Sequence, residues 1–191
     1  MAVFVFAAQM LNFPVGVGVS GHLLGGALAA VLAGPWVATL AVTVVLIVQA
    51  LVFADGGLTA LGTNVLLMAV VGVWVGWAVF VAVRALLPRT TAMVPVAAAV
   101  AALVSVPATA AVFTGLFAIG GEAPVDLGTM LSLMLGWHAV IGIGEAIITF
   151  LAVSAVIATR PDLVRGAAPA LDRAREERLA AACTTASEGV A

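Results

Sequence analysis

The sequence predicts an all-α fold, a polytopic transmembrane helical bundle with about five to six membrane segments. Three observations carry that prediction. Hydrophobic residues make up 64% of the 191 positions and charged residues only 8%, where a soluble domain carries roughly a quarter charged. Mean hydropathy is +1.29. The charges are also unevenly placed: residues 1–159 hold only Asp55, Arg84, Arg89, Glu122, Asp126 and Glu145, and the remaining ten lie between Arg160 and Glu188. The chain therefore divides into a transmembrane domain at 1–159 and a polar tail at 160–191, expected to form a short charged helix over 171–182 and then a disordered end.

Punctuation by Gly, Pro and charge separates six apolar stretches, at 1–13, 22–33, 35–54, 61–83, 92–119 and 127–158. A helix rises about 1.5 Å per residue and the hydrocarbon core is about 30 Å thick, so roughly 20 residues are needed to cross. The last four stretches meet that length and the first two do not. The segment 22–33 is open to two readings, a crossing or a half-span covered by protein. Between the first two stretches runs a glycine-rich segment, Asn12 to Gly21, read as a loop that ends on Ser20 as a helix N-cap and leads into His22.

All seven basic residues are arginines, and they fall between the fourth and fifth stretches or after the sixth. The alternate connections carry only Asp55, or Glu122 and Asp126. The positive-inside bias then places the 84–91 connection and the tail in the cytoplasm and residues 55–60 and 120–126 outside, giving a multi-pass protein of the cell membrane. Small residues at Gly21-x3-Gly25 and Gly72-x3-Gly76 match the spacing of close helix contacts.

Ionisable groups at membrane depth call for a reason, because burying one costs about 2.5–3.5 kcal/mol on insertion scales. Glu145 lies near the middle of the last stretch, and His138 precedes it by two helical turns on nearly the same face. Glu145 reads either as a group bonded to a neighbouring helix or as part of a transport or coupling path. Set well inside the span, His138 would need an unusual fold to reach His22. Gln49 and Asn64 are expected to supply interhelical hydrogen bonds, and Asp55 before Gly56-Gly57 reads as a turn residue. His22, beside a glycine-rich segment, is a candidate ligand for a divalent transition metal. Cys183 is the single cysteine, which excludes an internal disulfide or a cysteine cluster. No basic stripe is present to meet nucleic acid. No nucleophile elbow, zinc-protease helix or phosphate loop occurs, so the chain is expected not to be an enzyme.

Several separate motifs, in order, resemble the CbiM/NikM family. They are Ser20-Gly-His-Leu-Leu-Gly-Gly26, Gly34-Pro-Trp36, Gln49-Ala50-Leu51, Asp55-Gly-Gly-Leu-Thr59 and Leu61-Gly-Thr-Asn64, with Ile143-Gly-Glu-Ala146 in the last span. These are the membrane-embedded substrate-binding subunits of energy-coupling-factor transporters for cobalt and nickel. The resemblance implies a bundle that captures Ni²⁺ or Co²⁺ as transported substrate and holds no permanent cofactor. It implies work with a transmembrane coupling subunit and cytoplasmic ATPase subunits. His22 occupies the place of a family metal ligand, and Ser20, Asp55, Asn64 and Glu145 are candidates for supporting or coupling roles. The family begins Met-His-(Ile/Val)-x-(Asp/Glu)-Gly, whereas this sequence begins Met1-Ala2-Val3. That departure implies either a start further upstream or a degenerate homologue, and weak metal binding or none by the chain as written. Two other functions compete: capture of another small solute such as a vitamin, or a structural role as a non-transporting membrane partner.

Overall fold

In the computed structural model, residues 1–10, 12–16 and 19–188 are described. The elements run α1 (Ala2–Gln9), β1 (Asn12–Gly16), β2 (Val19–His22), α2 (Gly26–Ala33), α3 (Pro35–Val52), α4 (Leu61–Asn64), a π-helical stretch (Val65–Gly72), α5 (Val73–Leu86), α6 (Val94–Gly120), α7 (Leu127–Thr159) and α8 (Ala168–Glu188), with one 3₁₀ turn before α6 (Thr91–Met93) and two before α8 (Pro161–Leu163 and Arg165–Ala167).

Four helical segments are long and apolar enough to cross a bilayer: Pro35–Val52, Leu61–Leu86, Thr91–Gly120 and Leu127–Thr159. They coincide with the last four apolar stretches to within a few residues. Local chemistry sets their ends. Pro35 opens α3 at the first helical position, where its missing N–H removes no helical bond. The Asp126 side chain caps α7 by accepting from the Thr129 N–H at 2.9 Å. The second span is α4, the π-helical stretch and α5 in continuous succession. Large apolar side chains such as Leu40, Val140 and Ile147 remain exposed on the spans, as a surface facing lipid tails requires.

The two N-terminal helices have eight residues each, about 12 Å at helical rise, so neither crosses as a helix. For 22–33 this removes the full-crossing reading. Only Gly26–Ala33 is helical, and it lies inside the bundle with Ala27, Ala29, Ala30 and Val31 fully buried. Glycines bring α2 that close to the second span. A Cβ on Gly26 would stand 3.0 Å from the Gly72 carbonyl carbon, and a Cβ on Gly76 would stand 2.8 Å from that of Ala27. The Gly72-x3-Gly76 spacing thus marks a real helix contact.

The glycine-rich segment is a β-hairpin rather than a loop. β1 and β2 pair antiparallel, Asn12 opposite His22, Phe13 opposite Gly21 and Pro14 opposite Ser20, with a register irregularity between Pro14 and Gly16. Residues 17 and 18 of the expected loop lie outside the described residues. Ser20 is therefore a strand residue and not an N-cap. The N-cap of α2 is Gly25, at φ +69°, a left-handed conformation that glycine adopts without strain.

α6 and α7 form the most extensive helix pair. Pro107 lies inside α6 and, lacking an N–H, leaves the Leu103 carbonyl without its helical donor. Gly142 of α7 packs against that carbonyl, where a Cβ would stand 3.2 Å from the Leu103 oxygen. The charged run at 171–182 lies within α8. α8 runs on to Glu188, so residues 183–188, expected to be disordered, are helical, and residues 189–191 lie outside the described residues.

Candidate functional site

His22 ends β2, and the backbone between it and α2 is held from two sides. The buried Glu145 of α7 accepts hydrogen bonds from the Leu24 N–H at 2.6 Å on Oε2 and from the Gly25 N–H at 3.0 Å on Oε1. The Gln9 amide of α1 donates to the Leu24 carbonyl at 2.7 Å. Gln9 is 1% exposed and Glu145 3%. These bonds satisfy backbone groups just ahead of α2, which lie where no water can reach them. A carboxyl group at that end of a helix is also favoured by the helix dipole. Glu145 thus bonds the start of the neighbouring helix α2, through the backbone N–H groups of Leu24 and of its N-cap Gly25.

A cavity of about 110 Å³ opens beside this segment, lined among others by Ser20, His22, Asn64, Met68, Thr109, Met134 and His138. Three of the residues singled out by sequence, Ser20, His22 and Asn64, meet there. Asp55 and Glu145 do not line it. Asp55 sits in the turn after α3, its N–H donating to the Gln49 carbonyl at 3.1 Å. Ala54, Gly56 and Gly57 all have positive φ there, so the turn reading of Asp55 accounts for its place. Asn64 packs against Gly56 of that turn, linking turn to cavity. The buried Gln49 side-chain nitrogen has no hydrogen-bond partner among the described residues, contrary to the interhelical role expected of it.

His138 reaches the same cavity as His22, which overturns the expectation that it is too remote. The hairpin folds back onto α7 through Gly21, where a Cβ would meet Ile141 Cδ1 at 2.9 Å and His138 Cε1 at 3.4 Å. Each imidazole also has one nitrogen committed. His22 Nδ1 lies 2.9 Å from the Leu23 carbonyl oxygen, and His138 Nδ1 lies 2.8 Å from that of Met134. A carbonyl oxygen only accepts, so each Nδ1 is the protonated nitrogen and donates. The Nε2 atoms are left with their lone pairs, and neither bonds another described residue. Metal-binding histidines are commonly oriented by such backbone bonds. Among the described residues no group of three or more His, Cys, Asp or Glu side chains comes together. The cavity thus offers imidazole, thioether, hydroxyl and amide groups and no carboxylate.

Sequence reading missed Gln9, Met68, Thr109, Met134 and the placing of His138. Gln9 did leave a signal, as a lone amide in an otherwise apolar stretch at 1–13. The π-helical stretch Val65–Gly72, which carries Met68, left none in the hydropathy pattern.

Residues 1–163 match the family model described as "CbiM: Cobalt uptake substrate-specific transmembrane region". The chain is 43% identical over 165 residues to the "Putative fused nickel transport protein NikMN" of Archaeoglobus fulgidus, an alignment covering 86% of this chain and 54% of that protein. It thus spans about half the length of that fused relative. To the "Cobalt transport protein CbiM" of Sorangium cellulosum it is 36% identical, covering 94% of this chain and 77% of the relative. In fold it is similar to a crystal structure of a truncated transition metal transporter, with TM-score 0.74 and 31% identity over 82% of this chain and 77% of that one.

Proposed function

The chain belongs to the CbiM family of cobalt-uptake substrate-specific transmembrane regions, and we propose that it captures cobalt or nickel ions within the membrane for an importer. The carrying observation is His22, held at the end of a hairpin that packs on α7, with its Nδ1–H bonded to backbone and its Nε2 free beside the cavity. Neutral imidazole suits divalent ions late in the first transition row, whereas Mg²⁺ and Ca²⁺ seek carboxylate and carbonyl oxygens. A cavity without carboxylates selects for the former. Its volume supports the same choice: about 110 Å³ is small for an organic solute, whose pockets run from about 300 to 1,000 Å³. That counts against the vitamin reading.

Ser20 and Asn64 then act as polar groups of the site wall, and Glu145 keeps the metal-binding segment in register with α7. The body at 1–159 holds six apolar segments in this reading, with α1 and α2 as partial ones beside four full spans. The arginine-bearing connection at 84–91 and the tail at 160–191 face the cytoplasm. There they would meet a transmembrane coupling subunit and the ATPase subunits that supply the energy. The chain's own part is binding, with no catalysis.

The test is thermal unfolding of the protein in lipid nanodiscs with and without Co²⁺ or Ni²⁺. Metal binding to the folded state raises the midpoint, and His22→Ala abolishes the rise. A rise of the same size in His22→Ala would remove His22 from the site. No rise in either protein would sink the reading itself.

A further inference from the structure

The cavity that receives His22 holds a second imidazole, from α7. We propose that His138 is a metal donor of this chain, so that the captured ion links the hairpin to α7 through Nε2 of His22 and Nε2 of His138. This rests on the metal-capture reading above and adds a ligand to it. Both residues line one cavity of about 110 Å³. Gly21, adjacent to His22, lies so close to α7 that a Cβ there would stand 3.4 Å from His138 Cε1, the ring atom bonded to Nε2. The protons are already sorted: each Nδ1–H is spent on a backbone carbonyl, which leaves each Nε2 lone pair available.

A packing role explains His138 less well. An imidazole 7% exposed in a membrane helix has given up most of its hydration, yet its Nε2 bonds no described residue. The ring lines the cavity, so that lone pair is open to a ligand there. Coordination supplies the missing partner. The spacing of the two rings is held independently, because Glu145, two turns along α7 from His138, fixes Leu24 and Gly25 by hydrogen bonds of 2.6 and 3.0 Å. One helix therefore holds both the second donor and the anchor of the first. Met68 and Met134 on the same wall are polarizable neighbours of the kind late transition metals accept.

The chain contains two histidines, so counting imidazoles decides the matter. The probe is Cu²⁺, which binds nitrogen sites more tightly than Ni²⁺ or Co²⁺, added to the untagged full chain in nanodiscs. Pulsed electron paramagnetic resonance reads the number of coordinated imidazoles. Two are expected in the wild type. One is expected in His138→Gln, whose amide can still donate to the Met134 carbonyl, and one in His22→Ala. Affinity should fall in His138→Gln by at least the roughly 10–100-fold that loss of a ligand's supporting bond costs. A single imidazole in the wild type, lost only in His22→Ala, would overturn the assignment of His138 and leave metal capture standing. No coordinated imidazole in the wild type would overturn both. If His138→Gln does not fold, the wild-type count decides alone.

Discussion

Two carboxyl groups in this protein each receive two N–H donors at nearly the same distances, in opposite settings. Glu145 accepts from Leu24 and Gly25 at 2.6 and 3.0 Å inside the bundle. Asp162, just past α7, accepts from the Arg160 guanidinium at 3.0 and 2.9 Å. Glu145 is 3% exposed, whereas the side chains of Arg160 and Asp162 are 62% and 60% exposed. Bond geometry therefore cannot rank them. Removing a buried acceptor strands two amide groups that water cannot reach. Removing an exposed one exchanges a protein partner for solvent, and such pairs contribute little. The bonds that organise the site are those whose loss water cannot repair, although Arg160–Asp162 is the one with opposite charges.

The sharpest way to break this contrast is Glu145→Ala. It leaves the Leu24 and Gly25 N–H groups unpaired, and a loss of about 3 kcal/mol in unfolding free energy is expected, measured by denaturation in mixed micelles. A loss no greater than that of an exposed substitution would remove the anchoring role. Gln9→Leu ranks second. It deletes one hydrogen bond to the Leu24 carbonyl at 2.7 Å while keeping apolar volume, and should cost about 1–2 kcal/mol in the same assay. The smallest effect belongs to the exposed pair. The hydrogen bond from Arg160, with its positive charge, holds the Asp162 carboxyl below its ordinary range. A carboxylate with a depressed folded value adds stability above its unfolded value and loses it as pH falls through the folded one. The pair's exposure to solvent makes that contribution too small to see in unfolding. It shows only as titration: in Arg160→Ala the Asp162 midpoint, read by carbon NMR of its carboxyl, should move up toward the ordinary value with no change in unfolding. A fall in stability comparable to Gln9→Leu would erase the distinction between the two regions.

The spans and one tight contact were legible in the sequence. The apolar stretches at 35–54, 61–83, 92–119 and 127–158 coincide with the four long helices. Hydropathy over some 20 residues is a local property, and a bilayer leaves backbone few alternatives to helix. The Gly72 and Gly76 contacts came from spacing for a related reason, since residues four apart lie on one helix face. His22 and its neighbours stood out through the motifs around them. The hairpin did not, because glycine-rich sequence admits many backbone paths and Pro14 is unusual in a strand.

The composition of the site was decided by tertiary structure. Glu145 bonds residues 121 and 120 positions away, and Gln9 bonds one 15 positions away. No periodicity connects such partners. His138 and His22 share a cavity only because Gly21 lets β2 lie against α7, an approach its neighbours in sequence do not announce. The sequence by itself determined that this chain crosses a membrane, where its long helices run, and that Glu145 and His138 share one face of the last of them. Only the packing of hairpin and α2 into the bundle decided what that face meets. Lipid selects for hydropathy residue by residue, whereas a buried polar group must find its partner wherever the fold delivers one.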